Sequence, residues 1–277
     1  MVERIDMRKL IVTAIMVLIG IAFLMPFFWM ISASFKVEEE VLTFPIQWIP
    51  ENWNAVENYK EVWTGSMPFL LLYWNSIKVT VLTTLVSCTI SCLAAYGFAK
   101  INFKGREFIF LIVLATFMIP PQTLLVTQFL LYRWLGLYDT HTGLILLNSF
   151  SVFGTFMLRQ FYLGISNEII ESARMDGAGH FRIFTSIALP LVRPAIATYA
   201  ILRFIWTWND FQNPLIFLRS KELYTIQLGV QSFSDQHGSV YSLMMAASVS
   251  AILPLLIIFI IGQKNVIEGI QLGGVKG

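Results

Sequence analysis

The sequence predicts an all-α polytopic membrane protein, with six transmembrane helices and one polar cytoplasmic segment between the fourth and fifth. Three observations carry that expectation. Of 277 residues, 56% are hydrophobic and 13% charged, with a mean hydropathy of +0.69. Soluble domains carry about a quarter charged residues, so polar side chains are too few to cover a water-facing globule. Charge-poor stretches of the ~20 residues that a helix needs to cross a bilayer recur along the chain, and none shows the alternating pattern of a barrel strand.

The spans fall at about 10–32, 75–99, 108–132, 140–160, 194–218 and 241–262 of a single transmembrane domain covering 1–277. The first follows Arg8 and Lys9. A cleavable signal peptide with Ser32-Ala33-Ser34 as its cleavage site is the alternative, but the uncharged run is longer than a normal signal core, which favours an uncleaved span. The second holds Cys88 and Cys92 one turn apart, where a disulfide within one helix is strained. They read as small packing residues, and with His141, His180 and His237 scattered there is no metal-ligand spacing. In the third, Pro120-Pro121 removes backbone donors and kinks the helix. The fourth is free of charge through Leu158. The fifth is interrupted by Arg203 and Asp210, and the last runs from Tyr241 to Gly262.

Lysine and arginine set the orientation. With the N-terminus inside, the cytoplasmic pieces hold Arg4, Arg8, Lys9, Lys100, Lys104, Arg106, Arg159, Arg174, Arg182, Arg193, Lys264 and Lys276. The smaller outer set is Lys36, Lys60, Lys78, Arg133, Arg219 and Lys221. Both termini are therefore expected in the cytoplasm. The outer loops are Ala33 to about Tyr73, Arg133 to Asp139, and Arg219 to about Val240. The first carries Trp48, Trp53, Tyr59 and Trp63 among Pro45, Pro50 and Pro68. It suits the membrane interface, a contact surface for an outside partner, or both.

Several function classes drop out. A net charge of +2 without basic–aromatic clusters gives nucleic acid no surface. No G-x-x-x-x-G-K-[ST], H-E-x-x-H or G-x-S-x-G occurs. No catalytic residue, cofactor or metal is expected, and the chain is not expected to be an enzyme.

The polar segment at 164–193 is too charged to cross. Ser166 or Asn167 is a natural N-cap, Glu168 and Glu171 suit the positive end of a helix, and Gly177 is a natural stop. A second short helix from about His180 to Ala188 ends at Pro190. Small Ala173 and Gly177 leave a patch that another backbone can approach, and Glu171 offers a carboxylate that an arginine can hold bidentately. On these signals alone, an interfacial loop and a docking element stand level.

The residue order adds a resemblance. Glu171, Ala173, Gly177, Ile187, Leu189 and Pro190 match the spacing of the Glu-Ala-Ala signature of permease subunits in bacterial ATP-binding-cassette importers. Ser172 replaces the first alanine, and Asp176-Gly177-Ala178 extends the match. Gly136-Leu137-Tyr138-Asp139-Thr140, Trp208-Asn209-Asp210-Phe211 with Pro214-Leu215, and Val266-Ile267-Glu268-Gly269-Ile270 before Gly273-Gly274-Val275-Lys276-Gly277 resemble the carbohydrate-uptake branch. Within it, the chain is similar to the six-span second permease of maltose-type systems.

That resemblance implies the type I importer permease fold in the bacterial inner membrane. It implies a heterodimer with a second permease, two separate ATPase subunits and an extracellular solute-binding protein. The segment around Glu171 would be the coupling helix seated in the ATPase, with Glu171 facing an arginine there. Polar groups inside spans are costly and mark either helix contacts or a solute path. Arg203, Asn209 and Asp210 are the main candidates, with Trp206 and Trp208 able to stack on a sugar ring and Asn148 and Gln122 as lesser ones. A permease for a phosphorylated polyol is the nearest rival. A secondary transporter is further off, because paired repeats with coupling-ion carboxylates are missing.

Overall fold

The computed structural model describes residues 7–65, 69–235 and 238–274, with side chains described for all but 235–239 and 264–274. Arg4, Pro68, His237 and Val275-Lys276-Gly277 lie outside the described residues, as do the side chains of Lys264 and 266–274.

In chain order the helices are α1 (Met7–Ser34), α2 (Glu38–Val41), α3 (Ala55–Thr64), α4 (Phe69–Lys100), α5 (Arg106–Thr116), α6 (Pro121–Trp134), α7 (His141–Leu147) and α8 (Val152–Leu163). They continue as α9 (Asn167–Met175), α10 (His180–Leu191, with a π-turn at Phe184–Ala188), α11 (Arg193–Trp208), α12 (Gln212–Phe217), α13 (Ile226–Gln231) and α14 (Tyr241–Gly274). A two-residue hairpin, β1 (Ser234–Asp235) with β2 (Gly238–Ser239), precedes α14.

Met7–Ser34, Phe69–Lys100 and Tyr241–Gln263 are each long and apolar enough to cross a membrane. Three bent pairs reach that standard only when taken together: α5 with α6 at 95°, α7 with α8 at 49°, and α10 with α11 at 77°. Each bend has a local cause. Pro120 and Pro121 lack amide donors, so α5 stops and α6 restarts with Pro121 in its first turn. Asn148 ends α7, and Ser151 opens α8 by accepting the Gly154 N–H at 3.0 Å. Pro194 sits in the first turn of α11. The π-turn lies just before Pro190, where an α-turn would set the Ser186 carbonyl against the proline ring.

The chain divides into two compact units, 1–70 with 229–253, and 71–228 with 254–277. In the first, α1 buries only its last residues, Ser32, Ala33 and Ser34. The aromatic loop behind it is folded. The Asn58 amide donates to the carbonyls of Ser34 (3.0 Å) and Lys36 (2.8 Å), and Phe35 stacks on Trp53 at 5.7 Å. Glu38 accepts the N–H groups of Tyr241 and Ser242, both at 2.8 Å, and so places a carboxylate at the positive start of α14.

The second unit is built around one apolar core. Cys92, Ala95, Tyr96 and Ala99 of α4 meet Leu158 and Tyr162 of α8, Ile170 and Ala173 of α9, Ile183, Phe184 and Ala188 of α10, and Ala195 and Tyr199 of α11. A β-carbon on Gly154 would lie 2.2 Å from the Tyr199 ring, so only glycine permits this approach of α8 to α11. The Tyr199 hydroxyl then meets Ser87 Oγ of α4 at 2.8 Å.

Candidate functional site

The segment at 164–193 forms a helix–turn–helix with two different faces. Ser166 caps α9, its Oγ accepting the Glu168 N–H at 3.2 Å. At the other end Gly177 adopts φ +82°, donating to the Arg174 carbonyl at 2.9 Å, while Ala178 donates to the Ala173 carbonyl at 3.0 Å. That pair of bonds is the Schellman termination, which wants a left-handed residue at this position. The second helix does not stop at Ala188; the widened turn carries it through Pro190 to Leu191.

Burial divides the signature residues. Ala173 is buried and Ala178, Ile187 and Leu189 are half-buried against the core. Glu171, Ser172, Asp176, Gly177 and Pro190 are exposed. The Glu171 side chain makes no hydrogen bond or ion pair among the described residues. One turn on from it along α9, Met175 is 87% exposed, and on α10 Phe181 is 75% exposed.

One base holds this segment in place, and two more brace the helices beside it. Lys100, the last residue of α4, donates to the Ile165 carbonyl at 2.6 Å and to Asn167 Oδ1 at 2.8 Å. Arg159 of α8 donates to both oxygens of Glu107 at 2.8 Å and to the Phe98 carbonyl at 3.2 Å, with its guanidinium 4.1 Å above the Phe110 ring. Arg106 completes the cluster on Glu107 at 3.0 Å.

The helix breaks frame a cavity of about 670 Å³. Phe117 and Ile119 from the α5–α6 break, Phe150 and Ser151 from the α7–α8 break, and Arg203 and Trp206 from α11 contribute to its wall. Gln128 of α6 also lines it. An Arg203 amine donates to the Asn148 carbonyl, while its Nε is buried without a partner. Asp210 accepts from Asn213 N (3.1 Å), Asn213 Nδ2 (2.7 Å) and Asn148 Nδ2 (3.4 Å). Asn148 thus stands between Arg203 and Asp210, which form no direct ion pair among the described residues.

The binding-protein-dependent transport system inner membrane component family matches residues 87–270. The chain belongs to that family. It is 35% identical over 270 residues to the arabinooligosaccharides transport system permease protein AraQ of Bacillus subtilis, covering 97% of this chain and 96% of that one. It is 29% identical to the sn-glycerol-3-phosphate transport system permease protein UgpE of Brucella abortus, covering 98% of each. A solved bacterial ABC transporter, involved in the import of the acidic polysaccharide alginate, matches its fold with a TM-score of 0.81 at 24% identity, over 94% of this chain and 98% of that one.

Within the permease, the candidate path residues do not all gather. Arg203 and Trp206 line the cavity, and Trp206 packs edge-on to Phe153 at 5.3 Å. Asn148 supports Arg203 from behind. Trp208 is 2% exposed, packed on Phe204 at 5.9 Å and Tyr73 at 5.8 Å. Asn209 and Gln122 are exposed and do not line the cavity. Asp210 falls in the break after α11, where it caps the start of α12.

The Gly136–Thr140 motif is a clasp. Gly136 and Asp139 take φ +70° and +56°, and Asp139 Oδ1 accepts the N–H groups of Arg219 (2.8 Å) and Ser220 (2.9 Å). With the Ser220 hydroxyl on Oδ2 at 2.6 Å, these bonds hold its carboxyl below the usual carboxylate range. Gln128, Met175 and Phe181 lay outside the sequence reading because Gln128 matches no motif position and the other two fall between signature positions. An apolar residue on a short polar helix, which elsewhere would turn inward, was the available signal.

Proposed function

We propose that this permease subunit forms half of the translocation pore of a carbohydrate importer and couples it to a separate ATPase through residues 164–193. The observation that carries this is the divided face of the segment. Ala173, Ile187 and Leu189 tie it to the permease core, while Glu171 and Met175 stand outward one turn apart on α9, with the carboxylate unengaged beside an exposed apolar side chain. Such a face suits an arginine-bearing cleft with apolar walls.

A second permease, two ATPase subunits and an outer solute-binding protein complete the importer, with both termini of this chain in the cytoplasm. ATPase closure moves the rigid segment, and the segment moves the helices packed on it. The cargo assignment to sugars or oligosaccharides follows the AraQ relative, with Trp206 at the cavity offering a stacking face. Arg203 on the same wall, together with the UgpE relative, favours a phosphorylated polyol as the second reading.

Reconstitution with cognate partners tests coupling: Glu171→Arg is expected to abolish solute-stimulated ATP hydrolysis and uptake while leaving the chain folded. Undiminished uptake in that variant would sink the docking assignment. A ligand screen on the cognate solute-binding protein separates the two cargo readings.

A further inference from the structure

The α4–α5 turn and the exposed side of α9 enclose a second, polar cavity of about 240 Å³, whose polar wall is Lys100, Asn102, Arg106, Asn167, Glu171 and Arg174. Three of these are bases and one is an acid. Lys100 is the telling member. It is only 8% exposed, and its ammonium meets two neutral acceptors, the Ile165 carbonyl and Asn167 Oδ1. No carboxylate lies within ion-pair distance of it among the described residues. A buried cation without a counter-ion is costly. Arg174 reaches only His180 Nε2, at 3.5 Å, and Arg106 shares Glu107 with Arg159. The cavity therefore carries a net positive charge.

We propose that this cavity binds the phosphate of an anionic phospholipid headgroup, held by Lys100, Arg106 and Arg174. Lys100 ends a helix long and apolar enough to cross a bilayer, so the cavity sits where that helix leaves the hydrocarbon. Phe103 and Phe108 are exposed beside it, at 42% and 69%, and give apolar surface for the glycerol and upper acyl chain. Basic pockets between membrane helices favour such headgroups. The proposal rests on α4 spanning the membrane. Its bearing on coupling is direct, because Glu171 borders the cavity: a bound phosphate neutralises the bases that would draw this carboxylate inward and leaves it outward for its partner.

The test is lipid retention by the purified chain released from nanodiscs of phosphatidylcholine and phosphatidylglycerol, weighed by native mass spectrometry. Phosphatidylglycerol should be retained in preference. Arg174→Gln, at an exposed position with no bracing role, should lower that preference about fivefold, as should Lys100→Gln if it folds. Arg133→Gln, far from the cavity in sequence and outside its wall, should leave it unchanged. Equal retention in the wild type and Arg174→Gln overturns the proposal. So does inorganic phosphate that stabilises the chain as well as the lipid does. Absence of this preference in the wild type, alongside normal uptake, removes only the lipid site. A chain that does not enter nanodiscs removes the membrane reading beneath it as well.

Discussion

Two glycines show how differently one residue type is required. Gly177 has open space where a β-carbon would go, yet its φ of +82° belongs to the left-handed region. Gly177→Ala should therefore cost about 1–2 kcal/mol by backbone strain alone, and Gly177→Asn clearly less, since asparagine tolerates this region. Gly154 has an ordinary backbone, but a β-carbon would strike Tyr199. Gly154→Ala should cost about 1–3 kcal/mol by overpacking, and Tyr199→Phe should not relieve it, because the clash is with the ring. Thermal unfolding in detergent separates these cases. Asp139 adds a pH-dependent term. Its folded pKa is lowered by Ser220 and Arg219 donors, so its contribution is complete above the unfolded value near about 3.9 and fades as pH falls through the lower folded value. The stability gap between wild type and Asp139→Asn should thus be constant at neutral pH and close below about pH 4. A gap that persists at lower pH would remove the carboxylate from that account.

At the scale of elements, the Arg159–Glu107 pair joins α8 to α5, and the Phe98 carbonyl brings in the end of α4. Its two ends are unequal. The Arg159 side chain is 11% exposed and that of Glu107 60%, so the arginine has more to lose from a missing partner. Arg159→Met should cost about 1–3 kcal/mol through lost charged hydrogen bonds and the lost contact with Phe110. Glu107→Gln should cost about 1 kcal/mol or less, because water screens the exposed end. Equal losses in a thermal-unfolding series would show that the cation's burial does not matter. Positive-inside counting could register these bases as an orientation signal, but not that each also latches a helix end, since latching depends on pairs distant in sequence. The same limit explains the bends. Pro120-Pro121 announces one, whereas the Ser151 cap and the π-turn before Pro190 look like ordinary apolar sequence. The fold of residues 164–193 was far more legible: Ser166 and Gly177 are local signals, and the structure builds a cap and a Schellman turn on them. The cavity was least so, because Gln128, Phe153 and Arg203 come together only through helix breaks that periodicity does not register.

For the whole molecule, the proposed topology rests on charge counting along the sequence, which assigns residues 164–193 and the termini to the cytoplasm and the 33–73 loop to the outside. It is checkable by labelling. Cys88 and Cys92 are the chain's only cysteines and lie in or against the core, so Cys88→Ser with Cys92→Ala should give a folded background for single cysteines. Ser172→Cys, exposed on α9, should then react with a membrane-impermeant maleimide in inside-out vesicles and stay protected in right-side-out ones. Phe44→Cys, at a position 94% exposed in the aromatic loop, should show the reverse. The physical ground is the cost of carrying lysine and arginine across the bilayer during insertion, which keeps the richer side in the cytoplasm. Adding the ATPase should protect Ser172→Cys and not Phe44→Cys, because only the former lies on the face bearing Glu171 and Met175. Labelling of both cysteines from the inside would overturn the loop assignment alone, and labelling of both from the outside would overturn the side on which the permease meets its energy source.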